Sequence, residues 1–234
     1  MSKNILVIAA HPDDEILGCG GAMAKHIANG DHVSVVIMAE GLTSRYNTRE
    51  EAFAAKDEMA EELEELKNIA RKANEKLGVK DVNFEGFPDN RMDSVDLLDI
   101  VKRVEHHVQR VKPDIIYTHH AGDVNIDHQQ IHDAVVTASR PMPGGLKPTI
   151  LFFEVASSTH WQPPISKPAF APTWFTDISD FLDQKIEALA VYEGEMRPWP
   201  HARSLKALEH LARWNGANIG VEAAENFILG RHCD

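Results

Sequence analysis

Short apolar runs rich in β-branched residues recur along the first 155 residues, and the gaps between them have the length and composition of helices. The runs are Ile5–Ala10, His32–Met38, Val82–Phe87, Ile115–Thr118 and Thr149–Val155. Such runs are the pattern of parallel strands buried on both faces. Helical stretches cover about Leu17–Asn29, closed by Gly30, and a charge-rich Thr48–Leu77 that ends at Gly78. Two more follow, Ser94 to Val111 with Ser94 as the cap, and His128–Ser139. Strand and helix in alternation require right-handed crossovers, which place helices on both faces of one sheet. The expected fold class is therefore α/β, a doubly wound, mostly parallel sheet of strand order 3-2-1-4-5. Beyond it, Ser157–Thr173 reads as an ordered surface loop, and helices resume at about Ile178–Glu195 and Ser204–Trp214. Residues 1–234 are thus read as a single domain with a C-terminal helical and loop extension.

Composition narrows the partners. Hydrophobic residues make up 43 %, enough for a sizeable core. A formal net charge of −12 opposes nucleic-acid binding, although a few local arginines can hold one phosphate. Two cysteines, Cys19 and Cys233, cannot build a disulfide framework. The run Ile5–Ala10 is too short for a signal-peptide core, and no stretch approaches the ~20 apolar residues of a membrane helix. The expectation is a cytoplasmic protein with no membrane partner; an oligomer is compatible with the sequence. Gly18-Cys19-Gly20-Gly21 is not a dinucleotide fingerprint, because Met23 stands where the third glycine belongs. These glycines are read as permitting close helix–sheet packing, and Cys19 as a small buried residue.

In a doubly wound sheet the ligand crevice lies beyond the carboxyl ends of the strands where the order reverses, here strands 1 and 4. Two polar clusters fall there: Ala10-His11-Pro12-Asp13-Asp14-Glu15, and His119-His120 continuing through Asp123 and Asn125 to Asp127-His128. A catalytic zinc needs three N or O ligands and an open position. His11, Asp14 and one histidine of the second cluster would supply them, which leaves Asp13 as a general base for water. The competing reading is that the acids only cap and charge a helix N-terminus. His132, at i+4 from His128, is read as a packing residue and His106-His107 as surface.

At this point the residues resemble a known family. The motif Ala10 to Glu15 at the end of a first strand, with Asp127-His128 after the fourth, resembles the two metal motifs of the PIG-L/LmbE-like deacetylases. Gly122 to His128, together with Pro200-His201-Ala202-Arg203-Ser204, is similar to a branch found among bacterial surface-polysaccharide enzymes. The resemblance implies a Rossmann-like fold, Zn2+ on His11, Asp14 and His128, Asp13 as base, and N-acetylated sugar substrates. One departure stands out: many relatives have a histidine where this chain has Asn125, so the neutral amide would take over the oxyanion contact. The proton for the leaving amine would then come from Asp13 or His201. Arg49 resembles an arginine that binds sugar hydroxyls in relatives, and Arg45 and Arg91 are further candidates for hydroxyl or phosphate binding. Trp161, Phe170 and Trp174 would either stack on a sugar ring or staple their loop to the core.

The expected activity is zinc-dependent hydrolysis of the acetyl amide of an amino sugar or sugar conjugate, free or nucleotide-linked. The alternatives are an amidase of the same fold acting on a larger acyl or thiol conjugate, and a non-catalytic sugar- or nucleotide-binding protein. Asp13 separates the last from the others, because a binding protein has little use for a carboxylate poised beside a metal.

Overall fold

The computed structural model describes residues 2–55 and 58–233. Its elements in chain order begin with β1 (Asn4–Ala9), α1 (Asp14–Ala28), β2 (His32–Ala39), α2 (Arg49–Ala54) and α3 (Ala60–Lys76). Next come β3 (Asp81–Phe87), α4 (Leu97–Val111), β4 (Ile115–His119), α5 (Ile126–Ala138) and β5 (Thr149–Phe153). The rest is α6 (Ser158–Trp161), β6 (Trp174–Asp177), α7 (Leu182–Ala190), α8 (Leu205–Ala217) and β7 (Ala224–Arg231).

The described strands form one seven-stranded sheet of order β3-β2-β1-β4-β5-β7-β6. The first five pair in parallel in the expected order, with Ile5 of β1 between Val33 and Ile115. Strands β7 and β6 then extend the edge in antiparallel fashion. Because side chains alternate along a strand, β1 feeds two cores. Ile5 and Val7 pack with Met23 of α1, Ala70 and Ala73 of α3 and Leu189 of α7. Leu6 and Ile8 pack with Ile100 and Val104 of α4 and Ile131 and Val135 of α5. This double burial explains why the strand reads as a continuous apolar run.

Four local expectations change. The helix expected over Thr48–Leu77 is two helices, α2 and α3, and Lys56 and Asp57 of that stretch lie outside the described residues. Buried Ala55 and Met59 sit between them, turned into the interior rather than along one charged helical face. Ser94 does not cap α4; it ends a 3-10 turn, its hydroxyl donates to the Arg91 carbonyl at 2.7 Å, and α4 starts after Asp96. His107, expected at the surface, is buried and shares a 2.6 Å hydrogen bond with Glu85 of β3. The C-terminal region supplies strands as well as helices, and Trp174, read as a loop aromatic, opens β6.

The glycines of α1 serve packing. A Cβ at Gly18 would lie 2.3 Å from the Phe153 ring of β5, and one at Gly21 2.7 Å from Ile178. Helix α1 also kinks at Cys19 (φ −148°, ψ 24°), which opens its backbone hydrogen-bond ladder. Glu225 of β7 fills the gap: its carboxylate accepts from the N–H of Gly21 at 2.8 Å and of Ala22 at 2.7 Å. The Leu17 carbonyl, which an unbroken helix would pair with the Gly21 N–H, accepts instead from Lys185 of α7 at 2.9 Å, and Lys185 also pairs with Glu225 at 2.6 Å. A polar post thus joins α1, α7 and β7 with its charges paired, the condition on which burying them is tolerable.

Candidate metal centre and pocket

The end of β1 delivers His11 and the start of α1 delivers Asp14, while α5 delivers His128 beyond the end of β4. Three of their atoms converge. His11 Nδ1 and His128 Nε2 each lie 3.0 Å from Asp14 Oδ2, and the two nitrogens are 3.3 Å apart. Zinc at ~2.0–2.1 Å from each ligand of a tetrahedral site separates the ligand atoms by about 3.3 Å. The spacing therefore fits one metal ion of that size. Asp14 Oδ1 is buried and has no hydrogen-bond partner among the described residues.

The outward nitrogens are oriented by carboxylates, as metal-binding imidazoles require. His128 Nδ1 faces Asp123 Oδ2 at 3.0 Å, and His11 Nε2 faces Asp127 and Asp89, each at 3.1 Å. Asp123 is fixed by Ser158 and Thr159, and Asp127 by the backbone N–H groups of Asn90 and Met92. This excess of acid has a titration signature. Burial alone would lower both histidines, but the charge of Asp14 and the hydrogen bond to Asp123 carry His128 up to about 9. Hydrogen bonds to Asp127, Asp14 and Asp89 likewise hold His11 well above the ordinary imidazole value. A cation shared by His11 Nδ1 and His128 Nε2, 3.3 Å apart, would take the place of the proton between them. A second triad, His11, Asp89 and Asp127, is also close enough for a metal. There the carboxylates are already engaged by Asn90, Met92 and Ser44, so it reads as an orienting shell for His11.

His119 lies beneath the centre. Its ring stacks on His128 with centroids 3.9 Å apart, and its Nε2 accepts from the Ala10 N–H at 2.8 Å, which makes it a neutral packing partner. His120 instead holds the Pro168 carbonyl at 2.9 Å and meets Phe170 edge-on, so this aromatic staples its loop. His132 donates Nδ1–H to the His119 carbonyl at 3.0 Å and is no ligand.

Asp13 occupies the N-cap position of α1 with φ 114°, yet its side chain makes no capping hydrogen bond. The residue is buried, and its Oδ2 accepts from Arg203 Nη1 at 2.9 Å. Its N–H donates to Glu15 Oε2 at 3.0 Å, and Glu15 is held by Tyr192 at 2.7 Å and Asn74 at 2.8 Å. Burial raises the Glu15 carboxyl to about 7, against these hydrogen bonds. The strained turn is thereby braced from three elements. Above it opens a cavity of about 180 Å3 that exposes His11, Asp13, Asp89, Asn125, Glu195 and Arg203.

A family model described as PIG-L, GlcNAc-PI de-N-acetylase, matches residues 6–139, the stretch from β1 to the end of α5 that carries His11, Asp14 and His128. The chain belongs to the PIG-L family. Among curated relatives it is similar to a probable N-acetyl-alpha-D-glucosaminyl L-malate deacetylase 2 of Bacillus cereus, 28 % identical over 83 % of this chain and 84 % of that one. Its fold is shared with the conserved protein TT1542 of Thermus thermophilus, with TM-score 0.74, 23 % identity and coverage of 99 % and 96 %. The fold is also that of GalB, a 4-carboxy-2-hydroxymuconate hydratase of Pseudomonas putida, at TM-score 0.74, 23 % identity and coverage of 99 % and 98 %.

Within this PIG-L chain the other expected site residues are spread unevenly. Asn125 reaches the cavity as the N-cap of α5: its Oδ1 accepts from the Asp127 N–H at 2.9 Å, and Nδ2 donates one proton to Asn90 at 2.9 Å. Its second amide proton has no partner among the described residues. Arg45 lines the cavity and pairs with Glu62. Arg49 and Arg91 line a neighbouring cavity instead. His201 accepts from the Arg203 N–H at 3.0 Å, lies edge-on to Trp161, and is absent from the cavity wall. Sequence reasoning passed over Asp89 and Asn90, although they follow β3 at the same end of the sheet. It gave Arg203 no role, although Arg203 lies in the stretch Pro200-His201-Ala202-Arg203-Ser204 that carries the branch resemblance; the candidate taken from that stretch was His201.

Proposed function

We propose that this protein is a zinc-dependent hydrolase that removes the N-acetyl group of an amino sugar or sugar conjugate. The observation that carries the reading is Asp13: a buried carboxylate that makes no capping hydrogen bond and is held by Arg203 in the wall of a cavity that also exposes His11, one of the three residues placed to hold a metal ion. Because the fold is shared with a hydratase, the choice of an amide substrate leans on the family match and the deacetylase relative.

His11, Asp14 and His128 would hold the ion, and zinc there supplies Lewis acidity toward the acetyl carbonyl and lowers the pKa of water. Asp13 takes a proton from the attacking water as the new C–O bond forms, and Arg203 keeps its carboxylate on target. The spare amide proton of Asn125 donates to the carbonyl oxygen as that oxygen gains charge. When the C–N bond breaks, Asp13 returns its proton to the departing nitrogen, giving acetate and a free amine. His201, outside the cavity wall, is not needed for that transfer.

Among the described residues no helix is long and apolar enough to cross a membrane. The proposed setting is cytoplasmic; the two cysteines, buried Cys19 and exposed Cys233, are free. The decisive experiment is an assay of zinc-loaded protein for acetate release over N-acetylglucosamine, its nucleotide-linked form and simple glycosides. Acetate from at least one, lost in Asp13→Asn, is the expected result. No acetate from any of them would remove the deacetylase reading.

A further inference from the structure

A second cavity of about 440 Å3 lies beyond the carboxyl ends of β2 and β3, roofed by α2 and α3. It adjoins the metal cavity. Pro12 and Leu66 face both, and the same two loops wall both: Gly41 and Ser44 face one side and Glu40 and Thr43 the other, as do Asp89 with Asn90 and Pro88 with Arg91. Their characters differ. The metal cavity is lined by acids, amides and an arginine pair, whereas the second is walled by Ala52, Met59, Leu63 and Phe84. Apolar pockets of this size with a few placed polar groups are the usual form of small-molecule sites.

The charges at its wall are also distinctive. Arg49, Lys67 and Arg91 stand there against one acid, Glu40, in a chain of formal net charge −12. Arg49 makes no hydrogen bond or ion pair among the described residues, while Lys67 pairs with Glu64 and Arg91 donates to the Tyr46 carbonyl. Two buried atoms, Arg91 Nε and Glu40 Oε2, have no hydrogen-bond partner among the described residues. Arg49 is exposed at the rim, where its guanidinium is free to meet an anion, and the buried unpaired atoms of Arg91 and Glu40 call for a partner.

We propose that this cavity binds the aglycone of the substrate, and that the aglycone is an apolar group carrying an anionic end. The inference rests on the deacetylase reading for the sugar. It places the amino sugar over His11 and Asp13, the apolar stem past Pro12 and Leu66, and the anion toward Arg49.

The test uses binding, so that it stands apart from turnover. Methyl, hexyl and 5-carboxypentyl glucosaminides, which carry no acetyl group to lose, are titrated by calorimetry into the zinc-loaded protein. Each fully buried methylene is worth about fourfold in affinity. The hexyl compound should therefore bind at least about tenfold more tightly than the methyl one, and the carboxypentyl compound more tightly again. Ala52→Trp and, independently, Leu63→Trp fill the cavity and should erase the gain while leaving the methyl glycoside unchanged. Melting temperature shows which variant is folded. Equal affinity for all three compounds, no binding of any, or a gain that survives in a folded filled variant each overturns the proposal. Acetate release from the matching N-acetyl glycosides judges the deacetylase reading separately: turnover without aglycone preference sinks only the aglycone site.

Discussion

Arg203 and Asp13, separated by 190 residues, meet through a 2.9 Å Nη1–Oδ2 contact at the wall of the metal cavity. Asp13 makes no capping hydrogen bond, so this contact is what aims its carboxylate. Arg203→Met should lower kcat by about 10²-fold with little change in KM, the cost of misplacing a catalytic group by about 1 Å. Removing one partner of a largely buried pair should also cost up to about 3 kcal/mol of stability. Turnover within twofold of wild type, in a folded variant, would show that Asp13 is held by other means.

The proposed roles of the two adjacent carboxylates, Asp13 as base and Asp14 as ligand, predict different losses. Asp14→Asn should lose metal, since Asp14 Oδ2 sits 3.0 Å from both ligand nitrogens. Asp13→Asn should retain metal and fold yet lose about 10²–10⁴-fold in kcat, the contribution of a general base. Metal content, melting temperature and turnover measured side by side decide it. An active, metal-bound Asp13→Asn protein contradicts the assignment.

Chelation should destabilise the protein as well as inactivate it. A ligand at 100 times its dissociation constant adds about 2.7 kcal/mol, and in a domain of this size each kcal/mol moves the melting temperature by about 2–4 °C. A drop of roughly 5–10 °C on chelation, restored by added zinc, is the expected thermal shift. A melting curve indifferent to chelator argues that His11, Asp14 and His128 hold no ion.

Asn125 has one amide proton engaged by Asn90 and one directed to no described protein group. Asn125→Ala should therefore reduce kcat by about 10²–10³-fold while KM moves little, as expected of an oxyanion donor. An unchanged kcat would assign that contact elsewhere in the cavity wall.

The post between Glu225, Lys185 and kinked α1 bears on stability rather than chemistry. Glu225→Gln keeps at most one acceptor for the Gly21 and Ala22 N–H groups and strands the Lys185 ammonium. A loss of about 3–5 kcal/mol is expected from breaking such a buried pair. Denaturant unfolding reads it, and a loss below about 1 kcal/mol would mean that water takes over the role of Glu225.

How much of this was legible in the residues follows from what local pattern can encode. The five parallel strands and their order were readable because burial on both faces leaves a continuous apolar run, as in β1. The convergence of His11, Asp14 and His128 was readable because His11 and Asp14 lie three residues apart and both motifs follow strands at the reversal of the sheet. The break between α2 and α3 was not, since no Gly or Pro marks it and the burial of Ala55 and Met59 beside it depends on the folded chain. Strand β7 was hidden by its polar Glu225 and Asn226, which are buried against α1 and its neighbours rather than facing water.

The sequence by itself therefore determined the α/β layering, the two motifs and the class of chemistry they support. Tertiary structure alone decided that Arg203 clamps Asp13, that Asp89 joins Asp127 behind His11, and that His201 stays outside the cavity wall. The physical reason is range. Periodicity and motif spacing report contacts between residues a few positions apart, whereas Asp89 reaches His11 from beyond the end of β3 and Arg203 reaches Asp13 from the connection between α7 and α8.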